Sequence, residues 1–311
     1  MHQADPPSFS VATPSGKMAP PRFAFAALLG SNLCLAFGPL LVRASDVGPV
    51  AAGFWRVTLA VPFLLIMLGL SRERISRMRA GLWVTLAIAG LFFALDLGAW
   101  HLGIHQTKLA NATLFGNASI LLFPIYGFII ARAWPNRSQA VALLLAAFGA
   151  ALLMGRSYEM SAENLIGDLL CLLAGLLYTG YLVAMTRVRG TLGSWSALIL
   201  STMAGILPLL AMASLLGEKI LPTDWTPLIM LALVSQVVGQ GLLTYAMVHF
   251  QPIVVGLVLL VQPVIAATIG WLIYGERLGL LDFVGAVAVA IALVLVRRPD
   301  RPAASRSPTS Q

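Results

Sequence analysis

The chain has 311 residues, of which 59% are hydrophobic and only 10% charged, against roughly 25% charged in ordinary soluble domains. A mean hydropathy of +0.88 excludes a water-soluble globule, and ten spans of about 20 residues each leave loops too short to hold a soluble catalytic domain. The net charge of +8 would suggest nucleic acid in a soluble protein, but here the basic residues mark one face of a membrane, so no nucleic-acid partner is expected.

Residues 1–22, with Pro6, Pro7, Pro14, Pro20 and Pro21, have the composition of a disordered tail. Apolar stretches bounded by Arg, Pro, Gly or acidic residues then predict spans 1 to 10 at 23–42, 50–70, 81–102, 108–130, 139–154, 165–186, 195–216, 225–248, 253–274 and 279–296. Helices are expected because lipid forces every backbone polar group to be satisfied within its own segment. The first run is read as a retained helix, not a cleaved signal, and residues 297–311 as a basic tail. With the N-terminal side as one face, fourteen Lys and Arg residues fall on that face and five on the other, with Arg56 inside span 2. The positive-inside rule then puts both termini in the cytoplasm and the chain in the cytoplasmic membrane as a multi-pass protein.

Charges at membrane depth are costly and mark cavities, partners or ion paths. Arg56 in span 2 and Asp96 in span 3 each lie about six residues, or roughly 9 Å, inside the outer end of their helices. They are expected to meet across antiparallel neighbours, and three roles stay open for them. They can form an ion pair that locks the outer half, Asp96 can change protonation as a coupling or gating group, or Arg56 can take a substrate carboxylate. His101 and His105 have the i, i+4 spacing of a metal site, but no cysteine or carboxylate cluster joins them beyond Asp96, so they are read as residues of a wet helix end. The uncharged polar set is Asn32, Asn111, Asn117, Tyr178, Tyr181, Gln236, Gln240, Tyr245 and Gln262, together with Thr244. With Trp100 it would line a substrate cavity, the amides offering donors and acceptors without fixed charge and the aromatics an apolar wall. Trp55 and Trp271 are further wall candidates, although Trp and Tyr near span ends also serve as interfacial anchors. Cys34 and Cys171 lie in apolar runs and support neither a disulfide nor a metal site. Small residues crowd span 5 (Ala146, Ala147, Gly149, Ala150) and span 10 (Gly285, Ala286, Ala288, Ala290). They allow close helix approach, within the chain or in a homodimer.

A shift of 145 lays residues 86–107 over 231–252 without a gap, matching Leu86, Ala87, Leu97 and Gln106 to Leu231, Ala232, Leu242 and Gln251, with Trp100 facing Tyr245. Similar shifts place Pro62 on Pro208 and Pro124 on Pro263. Five spans per half force the second half upside down, the arrangement of secondary transporters. The alignment sets Asp96 against Gly241 and Arg56 against Thr202, so the charges belong to one half only.

Residues 259–279, LLVQPVIAATIGWLIYGERLG, with Pro263 and the terminal Gly275-Glu276-Arg277, resemble the end of the second repeat of the EamA family in the drug/metabolite transporter superfamily. Residues 96–124, DLGAWHLGIHQTKLANATLFGNASILLFP, resemble the first repeat. The resemblance covers residues 23–296 and departs from the pattern at Ala133-Trp134-Pro135-Asn136, where Gly-Glu is expected. It implies an inverted-repeat carrier of small organic metabolites, often an exporter.

The chain is therefore expected to be an all-α integral membrane protein with ten transmembrane helices in two inverted five-helix repeats, 23–154 and 165–296. Its expected function is secondary transport of a small organic metabolite or drug by alternating access, directed outward, with proton coupling through Asp96 one of the roles left open, and without a cofactor or a bound metal. An intramembrane enzyme is the rival of another class, but GxSxG, HExxH and P-loop motifs are absent. A channel lacks a filter sequence or ring of like charge, and a metal-ion carrier would have to use His101 and His105.

Overall fold

The computed structural model describes residues 23–73, 75, 78–107, 115–132, 134–155, 163–259, 261–262, 264–265, 268 and 279–297. Asn111, Pro263, Trp271 and the Gly275-Glu276-Arg277 turn lie outside them. Six described helices are long and apolar enough to cross a membrane: span 1, Ala24–Ala44, span 2, Pro49–Ser71, span 3, Ala80–Gln106, span 6, Leu165–Arg189, span 7, Ser194–Leu215, and span 8, Thr226–Ala246. Ser119–Ala131 belongs to span 4, Arg137–Gly155 to span 5, Pro252–Leu259 to span 9 and Leu280–Arg297 to span 10.

Two spans depart from the straight helices expected. Span 1 is two helices, Ala24–Ala36 and Gly38–Ala44, that meet at Phe37. Pro39 stands in the first turn of the second, where its missing N–H costs no helical bond. Span 8 carries a π-helix over Leu231–Gly239 between α-helical ends Thr226–Met230 and Gln240–Ala246. Pro62, Pro124 and Pro208 are accommodated inside helices, as expected from the sequence.

The packing follows a pseudo-two-fold relation. Span 2 packs on span 7, span 4 on span 9 and span 5 on span 10, each a helix against its own counterpart. Span 3 packs on span 6 and, equivalently, span 8 on span 1, while span 3 against span 7 is matched by span 8 against span 2. Five spans per half, inverted, produce this pairing. Gly149 of span 5 meets Gly285 and Ala288 of span 10 within the chain: a Cβ on Gly149 would lie 2.7 Å from the Gly285 carbonyl and 3.1 Å from Ala288. The close approach these residues permit is thus used inside one copy.

Polarity runs opposite to that of a soluble protein. Ser31, Asn32, Arg56, Thr202, Gln236, Gln240 and Thr244 are buried in the centre, whereas Leu144, Leu207, Phe283 and many other large apolar side chains face outward. Outside the bundle the solvent is hydrocarbon, so polar side chains gain only by turning inward to each other or to a cavity.

Candidate functional site

The site is built around Arg56, buried in span 2. Its Nε donates to Gln236 Oε1 at 3.1 Å, and Gln236 Nε2 donates on to Thr202 Oγ1 at 3.0 Å. Its guanidinium carbon lies 5.5 Å from the centre of the Phe93 ring. A buried cation needs compensation, and here the Gln236 carbonyl, the Phe93 face and the more distant charge of Asp96 supply it. The ion pair expected with Asp96 does not form: among the described residues, Arg56 meets Gln236 and Phe93 instead, and the ion pair seen joins Lys219 to Asp46. Phe93, the aromatic partner of the guanidinium, stands one helical turn before Asp96 on span 3. Thr202, the counterpart of Arg56 in the other half, converges on the same glutamine.

Asp96 and Arg56 share a cavity of about 140 Å³ at the centre of the bundle. The polar part of its wall comes from Asn117, Ser119, Tyr178, Gln240 and Gln262, the apolar part from Leu35, Pro39, Phe93, Trp100 and Leu259. Gln240 Nε2 reaches the Tyr178 hydroxyl at 3.5 Å, and Tyr178 stacks on Tyr181 with ring centres 5.7 Å apart. Tyr181 in turn meets Phe93 at 4.8 Å. Gln262 Nε2 donates to Asn32 Oδ1 at 3.0 Å, while Asn32 Nδ2 is anchored to the Leu28 carbonyl at 2.7 Å. The π-helix of span 8 carries Gln236, and Gln240 stands at its end. Such wide turns tend to occur where a helix must re-aim side chains.

The residues expected on the cavity wall divide into three groups. Trp100, Asn117, Tyr178, Gln240 and Gln262 line it. Asn32, Tyr181 and Gln236 are buried behind it, holding the lining side chains in place. Tyr245 is remote, its ring packed edge-on against His249 at 5.2 Å. Trp55 is also off the wall: its indole N–H donates to the Ile220 carbonyl at 2.6 Å and its ring meets Trp225 at 4.8 Å. Phe93 and Ser119 escaped the sequence reading. The signal for Phe93 was its i, i+3 spacing to Asp96.

Of the two histidines, only His101 departs from the wet helix end expected. His101 is buried, with Nδ1 2.7 Å from the Pro49 carbonyl, which ties span 3 to the start of span 2. His105 is exposed. Both border a second cavity with Arg43 and Ser45, above the central one and sharing Pro39 with it. Among the described residues, no three His, Cys, Asp or Glu side chains are grouped to hold a metal.

A sequence profile described as the EamA-like transporter family matches residues 22–155 and 165–298. No curated protein matches the chain. A solved crystal structure titled only "Crystal structure of protein" is similar over 88% of this chain and 96% of that one, with a TM-score of 0.72 at 17% identity. At that identity the likeness is one of fold.

Proposed function

The chain belongs to the EamA-like transporter family, and on that premise we propose that it is a secondary carrier for a small amphipathic metabolite of the amino-acid type. A membrane transporter needs a central site reachable in turn from each side, and the cavity between Arg56 and Asp96 supports that role. One cation and one carboxylate stand on its wall within electrostatic reach of each other, and among the described residues they form no contact ion pair. A zwitterion would place its carboxylate at Arg56, its ammonium group at Asp96 and its side chain against Trp100, Phe93 and Tyr178. The placement of Arg56 and Asp96 on the wall of one cavity, apart from a contact ion pair, is the observation that carries this reading.

Asp96 has a second use in the cycle. It faces Arg56 across the cavity without a contact ion pair, so its charge is open to neutralisation by substrate or by a proton. Proton coupling through Asp96 and export from the cell follow as parts of the same proposal, with both termini cytoplasmic by the charge count and the loop at Asp46 and Lys219 external.

The test is uptake into proteoliposomes of labelled amino acids, sugars, nucleosides and cationic dyes, with and without an imposed pH gradient. The expected result is saturable amino-acid uptake that the gradient stimulates, with Asp96→Asn losing the stimulation. Full gradient-driven uptake by Asp96→Asn overturns the coupling role. Preference for dyes or sugars overturns the substrate class.

A further inference from the structure

The repeat relates two glutamates in the loops as well as the spans. Glu73 follows span 2 and Glu218 follows span 7, 145 positions apart, the same offset that lays Leu86 on Leu231. At one end of the bundle the Glu218 carboxylate accepts from the backbone N–H groups of Val50, at 3.2 Å, and Ala51, at 2.8 Å, in the first turn of span 2. At the other end Glu73 Oε2 accepts from the Ser196 N–H at 2.9 Å and its hydroxyl at 3.0 Å, in the first turn of span 7. The N-cap residues are Gly48 and Gly193, again 145 apart, and neither offers a side-chain cap. A Cβ on Gly48 would collide with Glu218, and one on Gly193 with Glu73. The free N–H groups at a helix start need acceptors and favour negative charge. Here each half supplies the acceptor for the other half.

Elsewhere the two halves differ. Span 1 breaks at Phe37, while its counterpart span 6 runs unbroken over Leu165–Arg189. Span 8 carries the π-helix, while its counterpart span 3 is α-helical over Ala80–Gln106. Spans 3 and 6 also pack more extensively than spans 1 and 8.

Inverted halves that exchange conformations carry any arrangement present in both copies onto itself, and trade any arrangement present in one. On the alternating-access reading above, we propose that Glu73 and Glu218 form a permanent two-ended clamp that holds spans 2 and 7 together as the fixed axis of the carrier. The break of span 1 and the π-helix of span 8 pass to spans 6 and 3 in the opposite-facing state. The moving contacts are then the 3–6 and 1–8 pairs, with Arg56 and Thr202 riding on the fixed one.

Hydrogen–deuterium exchange of the full-length protein in lipid nanodiscs tests this without a substrate, so its outcome is independent of the uptake assay. The first-turn amides of Val50, Ala51 and Ser196 are expected to exchange slowly and in a single population. The 231–239 segment should exchange faster than 86–94, its counterpart at the same depth. Glu218→Ala should speed Val50 and Ala51 by about tenfold or more, the equivalent of a hydrogen bond to a charged group, and leave Ser196 unchanged. Glu73→Ala should do the converse, and the Gln variants serve if the Ala variants do not fold. Two exchanging populations at either cap, equal rates at 231–239 and 86–94, or acceleration confined to the mutated half each overturn the clamp.

Discussion

Gln236 joins three helices through one side chain, so its replacement by leucine is the sharpest probe of the central site. Leucine is close in size and leaves the packing volume unchanged, but it deletes the acceptor for Arg56 Nε and the donor to Thr202 Oγ1. A hydrogen bond to a charged group contributes about 1.5–3 kcal/mol and a neutral one about 0.5–1.5 kcal/mol. Gln236 is fully buried and Arg56 nearly so, so water replaces neither bond and the expected loss is about 2–4 kcal/mol. At about 2–4 °C per kcal/mol for a chain of this class, thermal unfolding in detergent, followed by tryptophan fluorescence, should fall by roughly 5–15 °C. Gln236→Glu separates structure from function, because a carboxylate there satisfies Arg56 and keeps stability while neutralising the cation on the cavity wall. That variant should unfold within about 3 °C of the parent and lose transport of carboxylate-bearing solutes. An unfolding temperature unchanged in Gln236→Leu, or full transport by Gln236→Glu, would refute the role assigned to the Arg56–Gln236 bond.

The helix approaches and the loop at Asp46 supply two further predictions. Gly90 faces Ser201 and Ala204 so closely that an added Cβ would stand 2.5 Å from both; Gly90→Ala should therefore cost about 1–3 kcal/mol by overpacking, whereas Gly69→Ala, with nothing within 4 Å, should gain about 0.5–1 kcal/mol of helix propensity, both measured by the same unfolding assay. Asp46 accepts from Lys219 Nζ and from the Thr223 N–H at 2.9 Å, and these bonds hold its carboxyl well below the usual range. Because folding lowers this carboxyl, its contribution is complete above the ordinary value of about 3.9 and is lost only as pH falls through the lowered one. Protection of the Thr223 amide should accordingly persist unchanged from pH 8 down to about pH 4, and Asp46→Asn should weaken it at every pH.

The sequence carries the architecture because lipid makes each span a local decision. Twenty apolar residues in a row must close their own hydrogen bonds, so hydropathy alone locates most helices, and an odd number per half implies the inversion. Local reading fails where the answer depends on another segment. The break at Phe37 had a cue in Pro39, but nothing in LALVSQVVG marks a π-helix. Gln236 and Asn32 were recognisable as polar groups at membrane depth, yet whether each would face the cavity or stand behind it was settled by Arg56 and Gln262. Tyr245 aligned with Trp100, but the two halves place these rings differently, one at the cavity wall and the other beside His249. The Glu73 and Glu218 caps were hidden for the same reason, since each acts on a helix about 120 to 170 positions away.

A duplicated fold can build a site for an asymmetric solute only by breaking its own symmetry. The contacts of spans 2 and 7 remain nearly two-fold, down to their caps and internal prolines. The chemistry does not: Arg56 stands where the other half has Thr202, and Asp96 where it has Gly241. Both charges therefore come from the first half, while Gln236 and Gln240, which tune Arg56 and Tyr178, come from the second. On the proposed reading, a solute bound between them would touch both halves at once, and a change in its contacts with one half would alter the relation of the two. In that proposal the division would give the solute differential contact with the two facing states, the condition for it to shift their balance at all.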